Sequence, residues 1–380
     1  MKDELIKTIS MLLAGIPNRK SEREATVLHI QCKSTLIDLA VEYNGSIVKT
    51  YLDTDGVFIG FTGGQVNAFD FMYYLRHAED VCRFIKELQY LNNPLQDNNV
   101  LPPEYNKKTM SKFNLSVTEL LGKLNLCYRL MGKDDVRGYL NGMAFEIKDK
   151  ILYFIATTGQ ILGRVEVCKL TEKNEDDIFI VPHHVIEKLV RLLKSMEGHE
   201  IVSVVMYRDK LVFESDKFTL TSGYVDANFP EYERVLRTQD ESALVLKLET
   251  KELKEAIKKV SIDYAKLKVE KDVRLHKILK IDYYKSQLIL QTHNDFLFAE
   301  QGILDKELHY NVVNPEIVIE DLCMGTGDVS IGFDINLLGK VLQGIKLEEI
   351  TVSFLTGADG LMITFDADYD NQFVVMPCRC

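Results

Sequence analysis

Apolar residues recur along this chain at two spacings, in a fixed order. Over 3–15 (DELIKTISMLLAG) they fall three and four apart, which predicts a short amphipathic helix. The run that follows, 25–44 (ATVLHIQCKSTLIDLAVEYN), alternates and predicts paired strands. The same order returns at 116–132 with 139–159, and at 249–266 with 276–294. In the third helix the apolar stripe is Leu253, Ala256, Ile257 and Val260. The strand runs turn at polar sites such as Lys148-Asp149-Lys150 and Tyr284-Lys285-Ser286.

A second helical pattern follows each unit, at 68–88, 182–198 and 334–346. Further strands are predicted at 200–225 and 349–376. An internal repeat of this kind sets the fold class. The expectation is an α+β chain of three tandem domains, each a helix-plus-antiparallel-sheet unit written twice, spanning 1–113, 114–245 and 246–380. The first domain reads as reduced. Residues 89–113 are polar, with Pro and Asn and no strand pattern, and no strand precedes the first helix. Two alternating runs, Ile47–Tyr51 and Val57–Phe61, are the candidates to replace the missing strands.

Composition narrows the class. The hydrophobic share of 46% and charged share of 27% fit a globular protein and exclude a disordered or fibrous one. No apolar run spans a bilayer, and the acidic first turn of the N-terminal helix is unlike a secretory signal, so a cytoplasmic protein without membrane contact is expected. Seven scattered cysteines without a CxxC pair argue for reduced thiols, with no zinc site. Catalysis finds no support. His183-His184 opens a helix, where adjacent side chains diverge, so it makes no bidentate metal site. Gly63-Gly64 and Gly325-Thr326-Gly327 lack a phosphate-binding lysine or spacing and read as turns. No catalytic residue, metal or cofactor is expected.

The net charge of −11 speaks against a uniformly basic nucleic-acid-binding surface, though not against a basic face on an acidic body. Such faces are expected on three helices. Lys251, Lys254 and Lys258 step by three and four; so do Lys188, Arg191 and Lys194; Lys123, Arg129 and Lys133 mark a third. A single helix of this sort is usually an ordinary solvated face. Several at equivalent repeat positions are expected to line one side and meet the phosphates of a polyanion.

Four ordered segments then resemble the bacterial DNA polymerase III beta subunit, the sliding-clamp family. They are 135–143 (DVRGYLNGM), 156–162 (ATTGQIL), 229–236 (FPEYERVL) and the ending 374–380 (VVMPCRC). The resemblance is well marked over 134–380 and weak over 1–113. It implies the DNA clamp fold: three-domain crescents that close head to tail around duplex DNA. It implies a non-catalytic processivity factor, nucleoid-associated in the cytoplasm. The implied partners are double-stranded DNA, without sequence preference, the DNA polymerase III alpha subunit, the clamp loader and other proteins that carry a clamp-binding peptide.

The matched positions imply a peptide-binding pocket of Leu140, Thr157, Gly159, Leu162, Pro230, Arg234, Val235, Val374, Val375, Met376, Pro377 and Arg379. The DNA-facing set would be Arg19, Lys20, Arg23, Lys123, Lys133, Lys188, Arg191, Lys194, Lys254 and Lys258. Thr158, Gln160 and Ile161 replace the family's Asp, His and Arg, and Cys378 and Cys380 replace its Met and Leu. The pocket rim is therefore expected to be smaller and less polar. With a reduced first domain, the expected homodimer is looser than usual for the family, or a monomer at micromolar concentration. The alternative is an adaptor of the same fold that binds partner peptides without closing a ring.

Overall fold

The computed structural model describes residues 2–13, 16, 20–32, 36–53, 64–78, 109–170, 176–236, 242–266, 278–284, 287–292, 317–319, 329–355, 361–364 and 371–377. They form two compact units. One holds Met1–Leu124, Asn141–Leu152 and Cys168–Ala227; the other holds Asn125–Leu140, Tyr153–Val167 and Asn228–Cys380. Among the described residues no helix is long and apolar enough to cross a membrane.

One motif recurs along the chain: a leading strand, a helix and a meander of three strands. Helix α1 (Lys2–Leu12) and the short α2 (Lys20–Glu24) precede the first meander, β1 (Val27–Cys32), β2 (Leu36–Tyr43) and β3 (Ser46–Asp53). Strand β4 (Gly64–Asn67) leads into α3 (Ala68–His77). Then β5 (Ser111–Ser116) and α4 (Val117–Cys127) precede β6 (Gly142–Lys148), β7 (Ile151–Thr157) and β8 (Ile161–Lys169). Next, β9 (Asp177–Pro182) and α5 (His183–Lys194) precede β10 (Ile201–Met206), β11 (Lys210–Glu214) and β12 (Thr219–Gly223). The motif continues with β13 (Ser242–Glu249), α6 (Thr250–Lys266), β14 (Ile278–Tyr284), β15 (Gln287–Thr292) and β16 (Ile317–Ile319). It ends with β17 (Val329–Asp334), α7 (Ile335–Gly344), β18 (Glu349–Leu355), β19 (Leu361–Thr364) and β20 (Asn371–Val375).

Each leading strand pairs, antiparallel, with the first strand of a neighbouring meander: β4 with β1, β5 with β10, β9 with β6, β13 with β18 and β17 with β14. The exchange is reciprocal for β5 with β9 and for β13 with β17, so each of those two pairs of motifs closes on itself; for β4 the described residues show one direction only. In the first unit the sheet runs β4-β1-β2-β3-β12-β11-β10-β5. In the second unit one ladder runs β13-β18-β19-β20-β8, and a separate sheet runs β16-β15-β14-β17. Third strands make the joins. Strand β3 meets β12 from Ile47↔Thr221 to Lys49↔Thr219, and β8 meets β20 from Ile161↔Val375 to Val165↔Asn371.

Local chemistry fixes the element ends. Ser116 and Glu119 form a reciprocal capping box at α4: the Ser116 amide donates to the Glu119 carboxylate (2.9 Å), and the Glu119 amide donates to the Ser116 hydroxyl (3.2 Å). Asn67 caps α3 and Asp334 caps α7 through their side-chain oxygens. Asn44-Gly45 and Asp149-Lys150 sit at positive φ, the conformation that a two-residue hairpin requires. The second pair is the turn expected from the sequence.

Three expectations change. Strand β5 begins at Ser111, so the end of the stretch read as strandless is a strand: Phe113 and Leu115 point inward, Lys112 and Asn114 outward. Residues Ser46–Asp53 are the third strand of the first meander rather than a replacement for a lost half. Strand β7 does not alternate; it is buried on both faces from Leu152 to Thr157. Helix α3 is described to His77, and residues 79–88 of its expected span, like Val57–Phe61, lie outside the described residues.

The β6–β9 pairing gives a direct test of packing. A Cβ on Gly142 would lie 2.4 Å from the Val181 carbonyl oxygen and 2.8 Å from Ile180 Cγ2. Backbone cannot yield as a flexible side chain does, so Gly142→Ala should lower unfolding free energy by about 2–3 kcal/mol. Urea denaturation checks this, with Gly223→Ala, where the nearest atom is 3.9 Å away, as the well-tolerated control.

Candidate peptide-binding site

The candidate pocket residues gather in the second unit, around the β8–β20 join. Leu162 and Val374 are register partners, so they share one face of the ladder. Gly163 and Phe373 share the other, where a Cβ on Gly163 would strike Leu130 Cδ1 at 2.5 Å. Val375, paired with Ile161, alternates onto the face of Phe373. The Met376 amide donates to the Gln160 carbonyl at 2.8 Å, which ties the strand end to the β7–β8 turn.

That turn is braced from within. The Thr157 hydroxyl donates to the Ile161 carbonyl (2.7 Å) and accepts from the Gly159 amide (2.9 Å). Thr157 is buried, and its hydroxyl is spent on the turn rather than offered to a ligand. Gly159 has φ +88°, and a side chain there would crowd the Arg137 guanidinium at 3.2 Å. Arg137 forks onto Asp135, with Nε to Oδ1 at 3.0 Å and Nη2 to Oδ2 at 3.1 Å. Those hydrogen bonds hold the Asp135 carboxyl down to about 2. Arg137 is the functional candidate that the sequence reading passed over. Its signal was the two-residue Asp-x-Arg spacing beside Leu140.

The 3–10 turns Gly138–Leu140 and Tyr232–Val235 bring two more segments in. The Leu140 carbonyl accepts from Gly132 (2.8 Å), and Leu140 is buried. Tyr139 meets Phe229, and Phe229 meets Tyr232, with rings edge to face. This aromatic chain carries Pro230, Arg234 and Val235 to the Leu140 side. Pro230 and Arg234 are exposed, while Val235, Met376 and Pro377 are half-buried. Arg234 is ion-paired with Glu231. Leu162 and Val374 thus make a buried apolar face of the ladder, Leu140 is buried beside Gly132, and, besides the buried Thr157 and Val375, the other described candidates are exposed or half-buried. Arg379 lies outside the described residues.

The basic set divides. Lys20, Arg23, Lys133, Arg191, Lys194 and Lys258 are exposed, and Lys123 is half-buried. Lys20 pairs with Glu24 (3.7 Å) and Arg191 with Glu187 (2.6 Å). Arg23 lies over the Phe69 ring at 4.7 Å. Two expectations of a solvated lysine are corrected. Lys188 is fully buried, with its ammonium 5.9 Å from the centroid of the Tyr43 ring on β2. Lys254 is partly buried, and its ammonium donates to the Ile345 carbonyl at 2.5 Å, closing the C-terminal end of α7. Arg19 lies outside the described residues.

The Arg137–Asp135 fork has a titration signature. A carboxyl with a depressed pKa contributes stability above its ordinary value, and that contribution is lost as pH falls toward the folded value. Arg137→Ala removes the side-chain bonds but keeps the backbone amide of residue 137 on Asp135 Oδ1 (2.9 Å), so Asp135 should titrate above about 2 yet stay below its ordinary 3.8. Carboxyl chemical shifts followed from pH 6 to 2 measure the change directly.

Residues 116–231 match the family of the DNA polymerase III beta subunit, central domain. The beta sliding clamp of Pseudomonas putida is 27% identical over 266 residues, covering 70% of this chain and 65% of the relative. That of Escherichia coli K12 is 27% identical over 253 residues, covering 66% and 60%. The chain therefore spans about 65% of the length of the curated relatives it matches first. The crystal structure of DNA polymerase III subunit beta from Pseudomonas aeruginosa aligns with a TM-score of 0.75 at 20% identity, over 100% of this chain and 98% of that one. A putative DNA polymerase III beta subunit from Eubacterium rectale aligns over the same shares with a TM-score of 0.76 at 15% identity. The fold is the α+β clamp fold, residues 116–231 match the beta-subunit central-domain family, and the chain is similar to the beta sliding clamps.

Proposed function

We propose that this chain is a DNA sliding clamp, a non-catalytic processivity factor that acts by topology and by docking. It encircles duplex DNA as a homodimer and holds DNA polymerase III, through its alpha subunit, and other peptide-bearing partners such as the clamp loader. The three-domain division at 113 and 245 is part of this reading, supported by leading strands that open motifs at Ser111 and Ser242. The observation that carries it is the β8–β20 join, which sets Leu162 beside Val374 with Met376 anchored to the β7–β8 turn. An apolar face with a few oriented polar groups at its rim suits a short peptide with a hydrophobic anchor.

The buried face decides how the site is tested. Changing Leu162 or Val374 would disturb the core, whereas Val235 and Met376 are half-exposed. A peptide of the glutamine–leucine–phenylalanine type should bind with micromolar affinity. Val235→Asp, or truncation after Val375, should weaken binding by about 2 kcal/mol or more, the scale of a lost hot spot. Calorimetry that shows unchanged affinity in both variants removes the site.

The DNA contact is expected to go to phosphates, without base readout. Arg191, Lys194 and Lys258 are the three exposed members of the candidate DNA-facing set on α5 and α6, and Lys251 of α6 is exposed as well. Neutralising all three should weaken binding equally on unrelated duplex sequences. It should also flatten the salt slope by up to about 3, near one for each phosphate whose cation is removed. Fluorescence anisotropy across a salt series reads both.

A further inference from the structure

Lys188 is a lysine in a place where lysines are rare. It is 0% exposed, and among the described residues its ammonium has no hydrogen-bond partner. The nitrogen lies 5.9 Å from the centroid of the Tyr43 ring on β2. One turn earlier on α5, His184 packs edge to face on the same ring, with centroids 5.5 Å apart. Its Nε2 is also buried without a partner. The Tyr43 hydroxyl is held by Glu22 of α2 at 2.7 Å. Further along α5, Ser195 reaches Met11 of α1 at 3.6 Å. Residues 184 and 188 share one helical face, which is turned toward Tyr43 of the first meander, while Ser195 at the helix end is exposed.

We propose that Lys188 and His184 form a proton-linked latch between α5 and the β2–α2 side of the first unit, closed with an unpaired base inside and opened by solvating its charge. A buried, unpaired ammonium is among the most unfavourable groups a protein interior can hold. When the joint closes it has only an aromatic face for compensation. When the joint opens, Lys188 joins Arg191 and Lys194 as a third cation on the helix surface. The inference concerns the joint itself and stands whether or not the chain binds DNA.

The charges around the pair set the direction. Burial alone pushes Lys188 down to about 8. Burial, then Lys188 and then His183, push His184 down to about 4, and Glu22 opposes them. Lys2, Asp3, Glu4 and Lys7 of α1, Glu146 and Lys148 of β6 and Asp177 of β9 are not among the charges that shift either group. Both are bases with folded values below their ordinary ones, so the open form binds protons more readily. The closed joint is thus favoured as pH rises from 8 to 10.5 through Lys188, and loosened as pH falls from 6.5 to 4 through His184. Near neutral pH the joint holds a charged Lys188 and a neutral His184, with the lysine penalty fully in force.

The test uses the full chain and compares wild type with Lys188→Met and Lys188→Arg by hydrogen–deuterium exchange at matched pH. The methionine keeps the volume and removes the charge, so β2 and α5 amides should exchange at least about tenfold more slowly at pH 7. That advantage should shrink as pH approaches 10. The arginine, charged throughout, should exchange as fast at pH 10 as at pH 7 once intrinsic rates are divided out. Independently, the His184 ring should titrate above about 4 in Lys188→Met, because a repelling charge has gone. Equal exchange of wild type and Lys188→Met at pH 7 overturns the proposal. So does a methionine effect of the same size at pH 7 and pH 10, which would assign it to packing rather than to charge.

Discussion

A three-stranded meander ends in a row of backbone N–H and C=O groups with nothing to bond to, and the architecture of both units answers that constraint. An unpaired edge either finds a partner or becomes a hazard. The first strand of each described meander takes a leading strand from elsewhere: β4 lies on β1, β5 on β10, β9 on β6, β13 on β18 and β17 on β14. The third strand takes another third strand, as β3 takes β12 and β8 takes β20. Helices α4, α5, α6 and α7 each sit between a leading strand and the meander that follows it. The candidate site is a by-product of the same rule, since it forms where β8 and β20 satisfy one another.

The repeat was legible because hydrophobic period is a local property. The α5 stripe of Val185, Ile186, Leu189, Val190 and Leu193 and the hairpin around Asp149-Lys150 are both written within a dozen residues. Leading strands were harder. SKFNLS in β5 and DIFIVP in β9 are short and end at a helix cap, so their period is cut off before it repeats. Lys188 shows the deeper limit. Helical spacing tells which residues avoid the helix's own sheet, and Lys188 does avoid it. It does not tell that a second layer, with Tyr43 at its surface, will cover the opposite side. Lys254 is the milder case: its stem follows the solvated face, but its ammonium finds the open carbonyl of Ile345.

The buried face of the site was legible only through the resemblance, since Leu162 and Val374 look like any core residues. Structure adds the reason for its polar members. Thr157 and Gly159 are there for the backbone: one saturates the β7–β8 turn, and the other lets Arg137 lie against it. Arg137 in turn is aimed by Asp135. Conformation is thereby fixed around Arg137, and in the proposed site a preformed rim reduces the ordering that binding must supply. The replacements Thr158, Gln160 and Ile161 fall in the same turn, so they alter its side chains while Thr157 and Gly159 keep its path.

The β8–β20 join also has a place in time. During synthesis β8 leaves the ribosome well before its partner: roughly 200 residues separate Leu162 from Val374, which at about 5–20 residues per second is a wait of about 10–40 s. Through that interval an apolar strand carries an open edge in a crowded cell. The Leu162–Val374 face cannot exist in a nascent chain, however complete its first unit, because one of its two strands has not been made. On the proposed reading, a partner peptide has no complete site until Val374 has been added.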